Sequence, residues 1–168
     1  MKKIGYTGIV FALALLFSQP ANAQEQKVAK MRKPAKQAQI VVFVCEHGSA
    51  KSVVAAAHFN KLARERKLNL RAISRGTNPD KELPEGTLKG LKADGLKVDG
   101  TKPKKLSKTD VARATRVVAF CQIPEAYATA TRVEQWENIP PMSEDYNKFR
   151  DIIVEHIKHL LEELKSAK

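Results

Sequence analysis

Residues 40–52 read IVVFVCEHGSAKS, and this stretch decides the fold class. Ile40 to Val44 is a continuous, mostly β-branched apolar run, the pattern of a strand buried on both faces of a parallel sheet. The next residues, Glu46-His47-Gly48-Ser49, are turn-like. From Ser52 to about Lys67 a helix is predicted, with Val53, Val54, Ala56, Ala57, Phe59 and Leu62 able to face a core.

Working outward, Leu68 to Ser74 alternates Leu68, Leu70, Ala72 and Ser74 against polar neighbours and reads as a second strand. The stretch from Arg75 to Pro84 holds Gly, Asn, Pro and Asp and reads as a loop. A short helix follows over Glu85 to Ala93, with Leu88 and Leu91 at i, i+3 and Gly95 ending it. Ser107 to Ala114 forms another, where Ser107 and Asp110 make a capping box. Arg116 to Cys121 is a third buried strand and Val133 to Trp136 a weaker fourth. Ser143 to Leu164 is a long amphipathic helix with Ser143, Glu144 and Asp145 at its N-terminus. The order β-α-β-α-α-β-β-α predicts an α/β sheet domain.

The chain has 168 residues, enough for one domain with an appendage, and 43% are hydrophobic, enough for a core. Two cysteines exclude a disulfide-stapled miniprotein, and with four histidines they leave few ligands for a Cys-rich zinc site. No metal or cofactor is expected. Residues 1–23 read as a secretory signal: Lys2 and Lys3, an apolar run from Ile4 to Phe17, then Ala21-Asn22-Ala23. Cleavage after Ala23 predicts a secreted or periplasmic protein with no remaining transmembrane span; an uncleaved anchor is the other reading. Residues 24–38 carry Lys27, Lys30, Arg32, Lys33 and Lys36 against Glu25, and read as a basic, disordered linker. Leader and linker hold half of the formal charge of +12. The domain, residues 39–168, is therefore only moderately basic, and without an aromatic-interleaved basic stripe it gives no support to specific nucleic-acid binding.

In open α/β sheets ligands bind beyond the carboxyl ends of the strands, and Cys45 sits at that end of the first. Backbone N–H groups of a turn leading into a helix form a concavity for an anion, and such a setting favours a thiolate. A thiolate beside an oxyanion cradle suits attack on phosphorus or arsenic. Lys51 adds a positive charge and Ser52 a partner for the sulfur. Alternatively Cys45 is a buried small hydrophobe at a strand end.

VVFVCEHGSAKS resembles the active-site loop of the low-molecular-weight protein tyrosine phosphatase superfamily, which includes thioredoxin-coupled arsenate reductases. Ser74-Arg75-Gly76-Thr77, Leu88 to Leu106, Arg116 to Cys121 and Phe149 to Ile153 continue the resemblance in order, over nearly all of residues 39–165. It implies a four-stranded parallel sheet with helices on both faces. It implies that Cys45 is the nucleophile, that Ser52 is its partner, and that the backbone of Glu46, His47, Gly48, Ser49, Ala50 and Lys51 binds a phosphate-like oxyanion or phosphorylated substrate. Cys121 is similar in position to the second cysteine of the reductases, which would require a thiol reductant; a core cysteine is the other reading. Three departures stand out. Lys51 replaces the family's Arg and offers a point charge in place of a planar fork. Pro140 stands where the family has a general-acid Asp, leaving Glu144 or Asp145 as substitutes or mere helix caps. No further cysteine follows Cys121. The leading expectation is cysteine-dependent phosphoryl transfer, with arsenate reduction and a non-enzymatic oxyanion binder as alternatives.

Overall fold

The structure, a computed structural model, describes residues 37–97, 102–128 and 133–166. The leader and nearly all of the linker lie outside them. Four strands, β1 (Gln39–Cys45), β2 (Leu70–Gly76), β3 (Ala114–Ala119) and β4 (Val133–Gln135), form one sheet in the order β2-β1-β3-β4. Every pairing is parallel. The helices are α1 (Lys51–Glu65), α2 (Glu85–Ala93), α3 (Lys108–Arg113), α4 (Glu125–Ala128) and α5 (Tyr146–Ser166).

The apolar run of β1 explains the layering. Val41 and Phe43 pack on one face with Val54 and Phe59 of α1 and Phe149, Ile153, Ile157 and Leu161 of α5. Val42 and Val44 pack on the other with Leu106, Val111 of α3 and Tyr127 of α4. The expected strand buried on both faces and covered by helices on each is therefore present. Each large side chain fully removed from water here contributes about 1.5–3 kcal/mol.

Several boundaries differ from the sequence reading, each for a local reason. The second strand starts at Leu70, not Leu68, because α1 ends in a Schellman motif. Leu68 N–H donates to Ala63 O (2.9 Å) and Lys67 N–H to Arg64 O (3.0 Å), with Lys67 at φ 54°. A lysine in that left-handed position gives no glycine signal to read. The third strand begins at Ala114, directly after α3, and leaves Phe120 and Cys121 beyond its end. The last helix is capped by Asp145, not Ser143: Asp145 Oδ1 accepts from Lys148 N–H (3.0 Å) and its carbonyl from Phe149 N–H (3.0 Å). On α2 the inward residues are Thr87, Gly90 and Leu91, and Leu88 is exposed. The short α4 was not expected. The capping box of Ser107 and Asp110 is present. Among the described residues, no helix is long and apolar enough to cross a membrane.

One polar cluster locks α1, the end of α2 and α5 together. The Asp94 carboxylate meets His58 Nε2 (3.1 Å) and accepts from Tyr146 Oη (2.6 Å) and Arg150 (2.8 Å). Gly90 admits the Tyr146 ring, since a Cβ there would lie 2.2 Å from Tyr146 Cε2. Burial, which outweighs the Asp94 carboxylate and is aided by Lys61 and Arg150, pushes the His58 pKa down. His58 is therefore a neutral N–H donor to Asp94. Burial works to raise the Asp94 carboxyl, but the Tyr146 and Arg150 hydrogen bonds hold it below the usual carboxylate range. Both groups bind fewer protons folded than unfolded. The His58 contribution is thus present above its unfolded value of about 6.5 and is lost as pH falls towards its folded pKa; that of Asp94 is lost at lower pH. Urea midpoints of the wild type should fall from pH 7.5 to pH 5.5, and His58→Gln should flatten that slope. Equal slopes for the two proteins would contradict the assignment.

Candidate active site

Cys45 is the last residue of β1, with Gly76 as its register partner on β2. Helix α1 starts at Lys51. Its N-cap is Ala50, which makes no side-chain cap, and its first turn holds no acidic residue. Alanine at an N-cap costs about 0.5–2 kcal/mol relative to Ser or Asp. The N–H groups of Lys51 and Ser52 thus receive no side-chain cap, the condition under which a helix start can take an anion. The sulfur is held from two sides. Gly48 N–H donates to Cys45 Sγ (3.2 Å), and Ser52 Oγ lies 3.1 Å from it. Ser52 is wholly buried and Cys45 is 7% exposed. The Gly48 N–H and a hydroxyl able to donate thus both lie within hydrogen-bond distance of the one sulfur.

The loop is braced by the chain beyond β2. Thr77 N–H donates to Cys45 O (3.1 Å), Asn78 N–H to Glu46 O (2.9 Å) and Asp80 N–H to His47 O (3.0 Å), extending the β1–β2 pairing past the sheet. Gly48, at φ 61°, and Gly76 touch backbone to backbone: a Cβ on Gly48 would lie 2.7 Å from Gly76 N. The Ser49 hydroxyl donates to Asp80 Oδ2 (2.5 Å), and Thr87 Oγ1 of α2 donates to Ser49 O (3.1 Å). The end of β2 is tied in turn by Arg75, whose guanidinium forks onto Asp110 (2.8 and 2.9 Å). Burial tends to raise the Asp110 carboxyl, but hydrogen bonds from Arg75 and Ser107 keep it below the usual range.

The structure brings Cys45, Ser52 and residues 46–50 together and gives Lys51 a different contact from the one expected. Lys51 Nζ donates to the carbonyl of Ile139 (2.8 Å), the residue before Pro140. Its ammonium thus holds the segment in which the general acid was sought. Asp145 caps α5, the simpler of its two readings, and Glu144 is exposed. His47 is exposed; its Nδ1 lies 3.3 Å from Asp80 Oδ1, and Nε2 lies 3.9 Å from Glu46. Cys121 follows β3 at the same end of the sheet: Phe120 N–H donates to Val44 O (2.8 Å). Burial, then the neighbouring Cys45 and Glu46, push the Cys121 thiol pKa up against a hydrogen bond with Thr77. Sequence reasoning missed Asp80 and Thr87. Asp80 lies in a stretch read only as a loop, and Thr87 on a helix read through its leucines. Among the described residues, no cluster of His, Cys, Asp or Glu is arranged to hold a metal.

The sequence pattern describing the low molecular weight phosphotyrosine protein phosphatase matches residues 40–168. No match is found among curated proteins. Among solved structures, YfkJ from Bacillus subtilis superposes with a TM-score of 0.69 at 19% identity, covering 81% of this chain and 99% of that one. The arsenate reductase from Archaeoglobus fulgidus gives 0.60 at 28% identity, covering 71% and 97%. A low molecular weight phosphotyrosine phosphatase from Vibrio cholerae gives 0.64 at 17%, covering 76% and 97%.

The glycine contact yields a paired test. Gly48→Ala should cost about 2 kcal/mol or more, from left-handed strain plus the clash with Gly76. Gly86→Ala should be neutral or stabilising, since its Cβ would meet only Met142 Cε at 3.9 Å. Urea unfolding of both variants checks this, and a neutral Gly48→Ala would contradict it.

Proposed function

The chain belongs to the low molecular weight phosphotyrosine protein phosphatase family, and from that premise we propose that it hydrolyses phosphate monoesters through Cys45. The observation that supports this reading is Cys45 Sγ, contacted by Gly48 N–H and Ser52 Oγ, at the mouth of the uncapped α1. The sulfur attacks phosphorus and the ester P–O bond breaks with its electron pair leaving on the alcohol oxygen. Water then attacks the cysteinyl-phosphate, releasing phosphate and regenerating the thiolate. Loop N–H groups of residues 46–51 receive the equatorial oxygens, and Ser52 stabilises the sulfur as it leaves. The substrate class is a phosphorylated small molecule or protein side chain. Residues 1–23 support a secreted or periplasmic location.

Two features point to a slow enzyme. Lys51 engages Ile139 O and lacks the forked geometry of Arg, a difference of about 2–4 kcal/mol in transition-state stabilisation by analogy with a lost oxyanion donor. Pro140 has no proton for the leaving group, and general acid help is typically worth ~10²–10⁴-fold. The rate should therefore depend steeply on the leaving group, with p-nitrophenyl phosphate far faster than an unactivated alkyl phosphate. Cys45→Ser should abolish turnover. Lys51→Arg combined with Pro140→Asp should raise kcat/KM by about 10²-fold or more. No turnover of p-nitrophenyl phosphate between about pH 5 and pH 8 would overturn the phosphatase reading.

Arsenate reduction is the second reading, favoured by the position of Cys121 beside the start of the loop and by the 28% identity to an arsenate reductase. Cys45 would bond to arsenic, and Cys121 would attack Cys45 Sγ. The As–S electron pair would then remain on arsenic as arsenite, and a thiol reductant would reopen the disulfide. The raised Cys121 pKa weighs against it, because a thiol attacks poorly at neutral pH. Arsenate-dependent loss of both thiols, absent in Cys121→Ser, would establish this reading. Tight oxyanion binding with neither reaction would establish a binder.

A further inference from the structure

A cavity of about 550 Å³ lies along the outer edge of β2, between α1 and the residues Gly95, Leu96, Lys97, Lys102 and Lys104. Residues 45–52 do not line it, so it stands apart from the site already described. Its size is that of a small-molecule site. Five cations line it: Arg64, Arg71, Lys97, Lys102 and Lys104. All five are exposed, and none makes a salt bridge among the described residues. No acidic side chain lines the cavity among the described residues. The sixth basic residue, Arg75, is held by Asp110. Like charges gathered around one concavity repel one another, and a multivalent anion relieves that repulsion.

The edge strand itself tells which shape of anion fits. β2 is an edge of the sheet, and an open edge invites an extended peptide to add as a further strand. Here several outward backbone groups are already engaged. Ala72 N–H donates to Asn60 Oδ1 (2.7 Å), and Asn60 Nδ2 donates to Ala72 O (3.0 Å), so one side-chain amide stands in for a neighbouring strand. Ser74 O accepts from the Arg75 guanidinium (2.8 Å). Gly76 N–H donates to Lys104 O (2.9 Å), and Leu106 N–H donates to Gly76 O (2.8 Å). Strand addition would have to displace these bonds, and recognition falls to the cationic side chains. We propose that this cavity binds a compact polyphosphate group, free or carried on a nucleoside, with Arg64 and Arg71 as principal ligands. Val53, Ala57 and Leu96 supply an apolar wall for an attached nucleoside.

Amide chemical shifts of the full chain would be followed in about 0.15 M salt during titration with inorganic tripolyphosphate and, separately, with adenosine triphosphate. The expected result is saturable shifting of Ala72, Ser74 and Leu96 by at least one of the two. Tighter binding of the nucleotide assigns the nucleoside-borne form, and equal or weaker binding the free form. Arg64→Ala with Arg71→Ala should weaken binding at least about tenfold, as loss of charge-assisted bonds predicts. Lys30→Ala with Arg32→Ala, an equal charge loss in the basic linker, should leave it unchanged. Shifts confined to Gly48 and Ser52, equal losses in both double variants, or no saturation would overturn the proposal.

Discussion

The backbone of Gly48 meets the backbone of Gly76 with no room for a side chain on either residue. This contact joins the turn after β1 to the end of β2, and the geometry of the candidate site is built around it. It lets residues 77–80 run beside residues 45–47 and hydrogen-bond to them in register. It also sets Gly48 N–H over Cys45 Sγ. The turn is short because α1 begins at Lys51, and the helix begins there without a cap. Parallel pairing, two glycines and an uncapped helix together build the loop that the proposed function uses as an anion cradle. Asp80, Thr87 and Ser49 then hold its shape from the outside. A cradle fixed in advance needs little reorganisation when charge develops in a transition state.

The two departures at positions 51 and 140 are neighbours through one hydrogen bond. Lys51 Nζ reaches the Ile139 carbonyl, and Ile139 is buried in the main core. An ammonium on a flexible stem can satisfy a carbonyl in a way that a planar fork aimed at phosphate would not. The segment that bears Pro140 is thereby fastened to the first turn of α1. Positions 51 and 140 are thus joined through one contact at the rim of the site.

Much of this was legible in the sequence because it rests on local patterns. The apolar run of β1 gave a strand covered on both faces, and Ser107 with Asp110 gave a capping box. Cys45 and Ser52, seven residues apart, were read as partners across a turn, and they are 3.1 Å apart. What escaped reading depends on contacts distant in sequence. Lys67 takes a left-handed conformation that its side chain does not announce. Asp80 bonds to Ser49, 31 residues earlier, and Lys51 bonds to a carbonyl 88 residues later. Asn60 closes the edge of β2 through an amide that no periodicity marks. Side chains that choose partners after the sheet has assembled leave no spacing to read.

The central claim is that Cys45 becomes covalently bonded to phosphorus during turnover. Its most direct test is rapid acid quenching during hydrolysis of p-nitrophenyl phosphate, followed by intact mass and fragment analysis. The account predicts one added phosphoryl group, located on Cys45 and absent when Cys45 is serine-substituted and inactive. Turnover with unmodified Cys45 at every quench time, or a phosphoryl group on another residue, would contradict it.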